Sequence, residues 1–314
     1  MRPGDRGRGQ NFDKLLRSFS CNQHPLPGVR STQNREALVE QIVESVRRIE
    51  FIDAIAKRDI CDLRADPSSD LFDPIKAAIL HSRRGHADEA FWLVFLSVHF
   101  GKHKRAGWRL VRDVYGALGA EPRWDWTRTS DNPRAFREWL ANSEAILKGS
   151  DGIARHFGNH RKYQSLDAAA PSGTGAAIES YVKWIRPPRT HEMLIKDAQK
   201  EVGKNPRELF DYLYRSMTEV ISFGRMARFD YLTMVGKLGL ARIEPGSPYL
   251  EGSTGPLAGA RLLFSGSHSA HMNRQDLDSR SVELGDALGV GMQAVEDALC
   301  NWQKSPAKFV PFRG

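Results

Sequence analysis

The spacing of apolar residues constrains the fold of this chain more than any other feature of its sequence. Apolar side chains recur at intervals of three and four over most of its length, as in the predicted helix of residues 35–57. The stripe of that helix consists of Leu38, Val39, Ile42, Val43, Val46, Ile49, Ile52 and Ile55. No segment shows the sustained period-two alternation of a half-buried strand. The pattern therefore predicts an all-α fold of about ten helices, without a sheet of any size.

Proline and glycine mark the expected ends of several helices. An N-cap residue followed by proline opens a helix at Asp73-Pro74, Asn132-Pro133 and Asn205-Pro206. Beyond residues 35–57, helices are predicted over residues 74–85, 87–100, 103–118, 133–147, 176–185, 190–202, 206–221 and 227–238. Three Phe-Gly pairs stand at expected helix ends, at residues 100–101, 157–158 and 223–224. They either cap their helices with a packed ring or converge on one pocket.

The net charge of +8 is concentrated at the two ends of the chain. Residues 1–35 hold seven basic and two acidic residues, and the last fourteen hold three basic and no acidic ones. The other 36 basic residues are balanced by 36 acidic ones. The low apolar content of residues 1–33 predicts a flexible basic arm, followed by one all-α domain over residues 34–314.

Composition excludes several classes of protein. No run approaches the ~20 apolar residues of a membrane span, and no apolar signal segment opens the chain, so a cytoplasmic location is expected. Three widely spaced cysteines cannot form a disulfide framework, a cysteine-rich zinc site or a four-cysteine iron–sulfur site. His268 and His271 have no third metal ligand nearby and are interpreted as part of a flexible loop. We therefore predict no metal and no organic cofactor.

A glycine-rich segment at residues 250–260 indicates how the chain contacts a ligand. It resembles the helix-hairpin-helix of DNA glycosylases, in which a Gly-x-Gly-Pro turn exposes backbone N–H groups at a helix N-terminus to a DNA phosphate. Here two residues instead of one separate the two glycines. The residues assigned to this DNA contact are Gly252, Thr254, Gly255 and Leu257.

Asp278 follows this hairpin as the catalytic aspartate does in the endonuclease III superfamily. It lies 21 residues after Leu257 and precedes Leu288-Gly289-Val290, which resembles the helix end of the superfamily motif. A carboxylate beside C1′ stabilises an oxocarbenium-like sugar or orients the attacking water. The resemblance implies that Asp278 is catalytic and stands just before a helix. A plain helix N-cap, or catalysis by Asp276 or another acid, are the alternatives.

The hairpin also bears on strand cleavage. Glycosylases that cut the DNA strand use a lysine amine in the hairpin as a Schiff-base nucleophile. The matching position is Leu257, between Pro256 and Ala258. We therefore expect a monofunctional DNA N-glycosylase without lyase activity.

A closer resemblance covers residues 70–314. Its motifs are Phe91-Trp92-Leu93-Val94-Phe95-Leu96, Phe157-Gly158-Asn159-His160-Arg161-Lys162-Tyr163, Leu213-Tyr214-Arg215-Ser216-Met217, Phe229-Asp230-Tyr231-Leu232 and Glu296-Asp297-Ala298-Leu299-Cys300. In these motifs the chain resembles the alpha-glutamyl/putrescinyl thymine pyrophosphorylase family, clade 3, a glycosylase-fold group tied to hypermodified bases of bacteriophage DNA. The resemblance implies that the chain excises a bulky modified pyrimidine, such as glucosylated hydroxymethylcytosine, from phage DNA in antiphage defence.

Aromatic and polar residues elsewhere are candidates for a substrate pocket. Trp124, Asp125 and Trp126 either hold a flipped base or are packed tryptophans around a solvated acid. The other pocket candidates are Asn159, His160, Tyr163, Arg225, Asp230, Asn301 and Trp302. Beyond the hairpin, the DNA-binding candidates are Lys104, Arg105, Arg109 and Arg161. For such basic stripes a solvated face is the alternative.

Three functions stay open. The first is a monofunctional glycosylase that acts as a monomer on double-stranded DNA carrying modified bases. The second is a non-catalytic protein that binds modified DNA, and the third is a base-modification enzyme with a diphosphate intermediate. The sequence shows neither a phosphate-loop motif nor clustered metal-binding carboxylates for diphosphate chemistry, so we prefer the first.

Overall fold

The computed structural model describes residues 2–311, apart from the side chain of Asn159. Over these residues the chain forms fourteen α-helices and no β-strand. The all-α prediction is confirmed. None of the helices in the described part of the chain is long and apolar enough to cross a membrane.

The helices are numbered in chain order, and two of them, α4 and α7, have the predicted bounds at both ends. The full set is α1 (Arg6–Asn22), α2 (Thr32–Ala56), α3 (Pro74–Arg83), α4 (Ala87–Phe100), α5 (Arg109–Tyr115), α6 (Trp126–Asp131), α7 (Pro133–Leu147), α8 (Thr174–Ile185), α9 (His191–Val202), α10 (Pro206–Ser216), α11 (Arg225–Lys237), α12 (Gly255–Ser265), α13 (Arg274–Leu288) and α14 (Met292–Trp302).

Two compact units divide these helices. The first unit contains the chain up to Ala54 and from Glu244 onward, with α1, α12, α13, α14 and nearly all of α2. The second unit is the continuous segment Ile55–Ile243, with α3 to α11. This division differs from the single domain expected over residues 34–314, because helices distant in sequence build a core of their own in the first unit.

Residues 1–33 do not form the flexible arm that their composition predicts. Most of them form α1, and three of its apolar side chains are buried in the core of the first unit. These are Phe12, Leu16 and Phe19. Their spacing of four and three is helical, but the surrounding glycines and arginines obscure it in the sequence. The basic residues also have partners, since Arg8 pairs with Glu50 at 2.9 Å. Burial of the two rings and the leucine makes α1 part of the fold.

The basic segment at residues 103–118 is helical only over Arg109–Tyr115. Its first residues form a tight turn, in which His103 and Gly107 exchange backbone hydrogen bonds of 3.0 and 2.9 Å. The ring Nδ1 of His103 accepts the backbone N–H of Ala106 at 3.0 Å. Gly107 has a φ of +60°, which glycine adopts at little cost. The turn therefore replaces the first part of the predicted helix.

Helix α4 lies at the centre of the second unit. Its residues 90–96 are all buried. The ring of Phe95 stacks on Tyr181 at 3.9 Å between centroids, and Trp92 donates its indole N–H to the carbonyl oxygen of Trp124 at 3.0 Å. Aromatic packing on α4 therefore fixes the helices around it.

The three Phe-Gly pairs converge on His99, at the end of α4. The rings of Phe100, Phe157 and Phe223 lie 4.7, 6.1 and 6.3 Å from the imidazole of His99. Burial lowers the pKa of His99 to about 3, and its Nε2 is 3.0 Å from the hydroxyl oxygen of Thr174. The capping expectation holds only for Gly101, which ends α4, since Gly158 and Gly224 precede helical segments. The expected convergence holds in part, because the pairs meet around a packed imidazole and not around a pocket.

Candidate functional site

Asp278 lies inside α13 and not just before it. The helix starts at Arg274, and the side chain of Asn273 caps it by accepting the N–H groups of Gln275 and Asp276. The expected position of Asp278 is therefore wrong by about one turn, because asparagine is a strong N-cap residue that starts the helix earlier. The same geometry removes the N-cap alternative for Asp278.

The carboxylate of Asp278 is held by the segment that leads into the glycine hairpin. One oxygen accepts the hydroxyl of Ser247 at 2.8 Å, and the other accepts the backbone N–H of Leu250 at 3.1 Å. Asp278 is half-buried, so part of it faces solvent. Hydrogen bonds to both oxygens fix the orientation of the carboxylate relative to the start of the hairpin.

The hairpin itself is a tight turn at residues 250–255 that ends in α12. The N–H and the hydroxyl of Ser253 both donate to the carbonyl oxygen of Leu250, at 3.0 and 2.8 Å. Gly252 has a φ of +71°, in the left-handed region that glycine favours. Gly252 and Thr254 are exposed, and α12 begins at Gly255. The turn thus leads into the N-terminus of a helix, but the described residues between Lys237 and Gly255 contain no helix, so the first helix of the expected helix-hairpin-helix does not directly precede the turn.

Two glycines of α12 serve helix packing. A Cβ atom on Gly259 would lie 2.3 Å from the carbonyl oxygen of Leu299, and one on Gly255 would lie 2.7 Å from the Sγ of Cys300. Both glycines therefore let α12 approach α14 closely. Gly255 has this role whether or not its N–H binds a phosphate.

Leu257, one of the four residues assigned to the DNA contact, has a buried side chain and an N–H group that is already hydrogen-bonded. Leu257 is 6% exposed and belongs to the core cluster of the first unit. Its backbone N–H donates to the hydroxyl of Ser253 at 3.2 Å. A leucine at this position packs inward because it is the apolar side of an amphipathic first turn.

Asn301 and Trp302 do not form a pocket wall. Trp302 is 2% exposed, and its indole N–H lies within hydrogen-bond distance of the carbonyl oxygens of Asn34 and Pro306, at 3.2 and 3.0 Å. The amide of Asn301 donates to the backbone and side chain of Asp297. Both residues were candidates for the substrate pocket, and both instead fasten the end of α14.

The three residues Trp124 to Trp126 separate in their roles. Trp124 is 1% exposed and packs edge-on against Phe136 with 5.2 Å between ring centroids, so it is a core residue and not a wall for a base. Asp125 caps α6 by accepting the N–H of Arg128 at 2.9 Å. Asp125 and Trp126 nevertheless border a cavity of about 520 Å³ in the second unit. The packed alternative is right for Trp124, and the other two remain pocket candidates.

Arg161 and Asp230 are brought together by the fold. Arg161 is 8% exposed; it donates to the carbonyl oxygen of Val98 at 2.7 Å and to the carboxylate of Asp230 at 3.0 Å. The assignment of Arg161 to DNA is therefore wrong, since its guanidinium is buried and already bound. Gly158, on the same loop, donates its N–H to Phe100 at 2.8 Å. These contacts hold the loop on the end of α4.

The remaining pocket candidates differ in exposure. Tyr163 is 88% exposed, and the ammonium of Lys162 lies 4.9 Å from its ring centroid. His160 is exposed as well. The guanidinium of Arg225 lies 5.3 Å from the ring centroid of Phe229. The side chain of Asn159 lies outside the described residues. Of this group, Tyr163 and His160 are the exposed side chains.

The three basic candidates of the segment at residues 103–118 share one surface. Lys104, Arg105 and Arg109 all line a cavity of about 630 Å³ in the second unit. Lys104 and Arg105 stand at the tip of the turn, and Arg109 begins α5. The expected cationic stripe is therefore a cationic cavity, because the turn folds two of the residues back toward the third.

Comparison with known families identifies the chain over nearly all of its length. Residues 33–314 match the family described as alpha-glutamyl/putrescinyl thymine pyrophosphorylase clade 3. The chain belongs to this family. No curated protein and no solved structure matches it.

The clade 3 chain contains a buried polar network that sequence reasoning missed. Asp88 accepts both the backbone N–H and the ring Nδ1 of His191, at 2.8 and 2.6 Å. The ring Nε2 lies 2.7 Å from the hydroxyl of Tyr181, which is 2.9 Å from that of Tyr231. The one signal of this network in the sequence is the pair of acidic residues in the first turn of the otherwise apolar helix α4, Asp88 and Glu89. Acidic residues at that position are also explained by the helix dipole, so the signal does not indicate a network by itself.

Glu89, next to this network, lines the cavity of about 520 Å³. It accepts the hydroxyl of Tyr115 at 2.6 Å and the N–H of Trp126 at 2.7 Å. Burial nevertheless raises the pKa of Glu89 to about 7. Burial also lowers the pKa of His81, another lining residue, to about 4. Among the described residues of this clade 3 chain, no three His, Cys, Asp or Glu side chains are placed to hold a metal ion.

Proposed function

We propose that this chain is a monofunctional DNA glycosylase that excises a bulky modified pyrimidine from double-stranded phage DNA, with Asp278 as its catalytic carboxylate. One observation carries the proposal. The carboxylate of Asp278 is hydrogen-bonded to Leu250, the residue that opens the glycine hairpin. The carboxylate that would act on the sugar is therefore held at a fixed position relative to the hairpin that would bind the phosphate, and both lie within one unit of the fold.

The chemistry follows from charge. When the N-glycosidic bond breaks, the electron pair leaves with the base and positive charge develops on the sugar. An oriented carboxylate next to C1′ stabilises that charge or directs the water whose oxygen forms the new bond to C1′. The base takes up a proton, and the sugar keeps the hydroxyl. Ser247 and Leu250 keep Asp278 in place while this charge develops.

The hairpin supports the DNA partner. Its exposed Gly252 and Thr254 precede α12, and a helix N-terminus attracts phosphate through its N–H groups and its dipole. The lysine that a lyase would use is replaced by the buried Leu257. The product would therefore be an intact strand with an abasic site.

Family membership supports modified bases as the substrate class. The name of the family refers to alpha-glutamyl and putrescinyl thymine, which are bulky modified pyrimidines. We extend this to glucosylated hydroxymethylcytosine and to a role in antiphage defence, with the chain acting as a monomer in the cytoplasm. The same name favours one second candidate, a pyrophosphorylase that takes part in making a modified base.

The test is base release from phage DNA that contains glucosylated hydroxymethylcytosine, with unmodified DNA as the comparison. Free base is measured by mass spectrometry and abasic sites by cleavage in alkali. We expect release by the wild type and a loss of about 10²–10³-fold in Asp278→Asn, the scale of removing one preorganised electrostatic group. Asp276→Asn is the matched control, since Asp276 is exposed and pairs with Arg280 at 2.9 Å.

The outcomes separate the functions. Release by Asp278→Asn at the wild-type rate contradicts the catalytic assignment, and binding of modified DNA without release indicates the non-catalytic function. Strand cleavage without alkali contradicts the monofunctional assignment. Base modification of hydroxymethylated DNA that depends on a diphosphate donor, with no base released, would indicate the pyrophosphorylase.

A further inference from the structure

Two adjoining cavities of the second unit share the side chains of His103 and His156. Their volumes are about 490 and 630 Å³. The two imidazoles lie 4.9 Å apart between ring centroids. The basic residues along the cavities are Lys148, Arg155 and Lys162 in the first and Lys104, Arg105 and Arg109 in the second. We call these two cavities together the His103–His156 surface.

Among the residues that the structure describes, no carboxylate lines the His103–His156 surface. This is not a general property of cavities in this unit. The cavity of about 520 Å³ is lined by Asp88, Glu89, Asp125 and Glu192. Because the chain between its two ends is neutral overall, a surface with only cationic and neutral linings concentrates positive potential.

The cations on this surface divide into bound and available groups. Arg155 is buried and pairs with Asp113 at 2.5 Å and Asp151 at 2.8 Å, and Lys148 pairs with Glu144. In the part of the chain that the structure describes, no ion pair within 4 Å involves Lys104, Arg105 or Arg109, although Arg109 is near enough to the exposed Asp70 to help Arg112 lower the pKa of its carboxyl. The paired residues shape the cavity, and the unpaired ones are free to meet an anion.

His103 is oriented as a hydrogen-bond donor. Its Nδ1 accepts the backbone N–H groups of Arg105 and Ala106, at 3.4 and 3.0 Å. The hydrogen of a neutral ring then resides on Nε2. Burial, the nearby His156 and Arg105 lower the pKa of His103, which favours this neutral form. The imidazole of His103 thus fixes the turn that carries Lys104 and Arg105 and also offers a neutral N–H donor at Nε2.

An exposed aromatic ring stands next to the surface. Tyr163 is 88% exposed and lies beside Lys162, which lines the first cavity. Leaving a ring in water costs about 2 kcal/mol relative to burying it. A tyrosine beside a cationic groove is suited to contact a sugar or the edge of a base in duplex DNA while the groove follows the phosphates.

We propose that the His103–His156 surface binds the phosphodiester backbone of DNA, and that Tyr163 contacts a base or sugar at its edge. The proposal rests on the DNA partner of the proposed function but places the contact far along the chain from the hairpin and Asp278. Lys104 and Arg105 supply charge, His103 supplies a neutral donor, and the paired Arg155 keeps the loop in shape.

The experiment measures binding of the full chain to a labelled, unmodified DNA duplex by fluorescence anisotropy at several salt concentrations. The variant is Lys104→Ala/Arg105→Ala. The control is Lys196→Ala/Lys200→Ala, which removes the same charge from two exposed lysines of α9. We expect the first variant to lose about 10-fold or more in affinity and about two units of the salt slope, and the control to change both far less. Tyr163→Ala should weaken binding more than Tyr163→Phe.

The results of this experiment and of base release are independent. If both double variants bind alike, the surface proposal is wrong even when the wild type releases base. If only Lys104→Ala/Arg105→Ala loses affinity while no base is ever released, the surface stands and the glycosylase proposal fails. The same variants are also measured on duplex RNA of the same sequence. If Lys104→Ala/Arg105→Ala loses affinity for the RNA and not for the DNA, the assignment to DNA is wrong. If Tyr163→Ala binds DNA as tightly as the wild type, the assignment to Tyr163 is wrong. Thermal unfolding checks that each variant is folded.

Discussion

The hairpin region of the first unit and the tryptophan region of the second differ in how they use polar atoms. Around Asp278, both carboxylate oxygens accept hydrogen bonds, yet the residue stays half-buried. Around Trp124, rings fill the interior, and the indole N–H of Trp124 has no partner among the described atoms. The first arrangement holds a charged group ready at the surface, and the second maximises packing. Oriented polar groups, more than aromatic clusters, therefore mark the candidate site.

The largest expected effect that tests this difference comes from Trp124→Ala. Trp124 is 1% exposed, and the guanidinium of Arg128 lies 3.5 Å from its ring centroid. The truncation leaves a cavity, so we expect a loss of about 3–5 kcal/mol in the free energy of unfolding. Urea denaturation measures it. Trp124→Phe is the control, and it should cost much less because the unpartnered N–H is removed with little loss.

One result would support the assignment of Trp124 to the substrate pocket. That result is a Trp124→Ala protein with wild-type stability and no base release. A folded variant that still releases base below its unfolding temperature supports the packing role.

A smaller effect is expected from Glu89, the buried acid of the second unit. The raised pKa, about 7 instead of 4.5, means that the folded state keeps a proton which the unfolded state releases. Stability therefore falls as pH rises from about 4.5 through 7, by up to about 1.4 kcal/mol per pH unit. Glu89→Gln removes this pH dependence of the free energy of unfolding, because glutamine does not titrate. Between pH 5 and 8, its stability relative to the wild type should rise by about 2–3 kcal/mol.

This comparison isolates Glu89 from the buried histidines. Burial lowers the pKa of His81 and His99, so their contribution is lost as pH falls below the usual 6.5, which is the opposite direction. Both histidines are present in the two proteins and cancel in the difference. A difference that does not change with pH would show that Glu89 titrates normally.

Helix positions were largely predictable from the sequence, whereas the membership of helices in a core was not. The bounds of α4 and α7 were predicted because proline, glycine and an apolar run mark them. Helix α1 was missed because Phe12, Leu16 and Phe19 stand among glycines and arginines. The two units could not be predicted, since no composition change marks Ala54 or Glu244.

The role of a candidate residue could be predicted where the neighbouring sequence determines it, and could not where contacts between distant parts of the chain determine it. The sequence shows that Asp278 follows the hairpin along the chain. The hydrogen bond from the N–H of Leu250 to Asp278 spans 28 residues and depends on the tertiary fold, so it could not be predicted. Ser247 gave no signal, because a serine in a polar loop is common. Trp302 and Trp124 were offered as pocket walls, since a sequence does not distinguish a buried aromatic ring from one that stacks on a base.

The smallest effect, and the sharpest test of the Asp278 region, is Ser247→Ala. Ser247 donates to one oxygen of Asp278 at 2.8 Å and leaves the other to Leu250. The same hydroxyl accepts the backbone N–H of Tyr249 at 3.0 Å, so the substitution removes two hydrogen bonds. Losing the one to Asp278 should cost about 1 kcal/mol, which as a change in transition-state stabilisation is about a fivefold drop in the rate of base release. Ser253→Ala is the control, because the hydroxyl of Ser253 bonds within the hairpin. If Asp278 only ties α13 to the hairpin, Ser247→Ala will lower stability and leave the rate at saturating DNA unchanged. If Asp278 is the catalytic carboxylate, that rate falls and Ser247→Thr restores it.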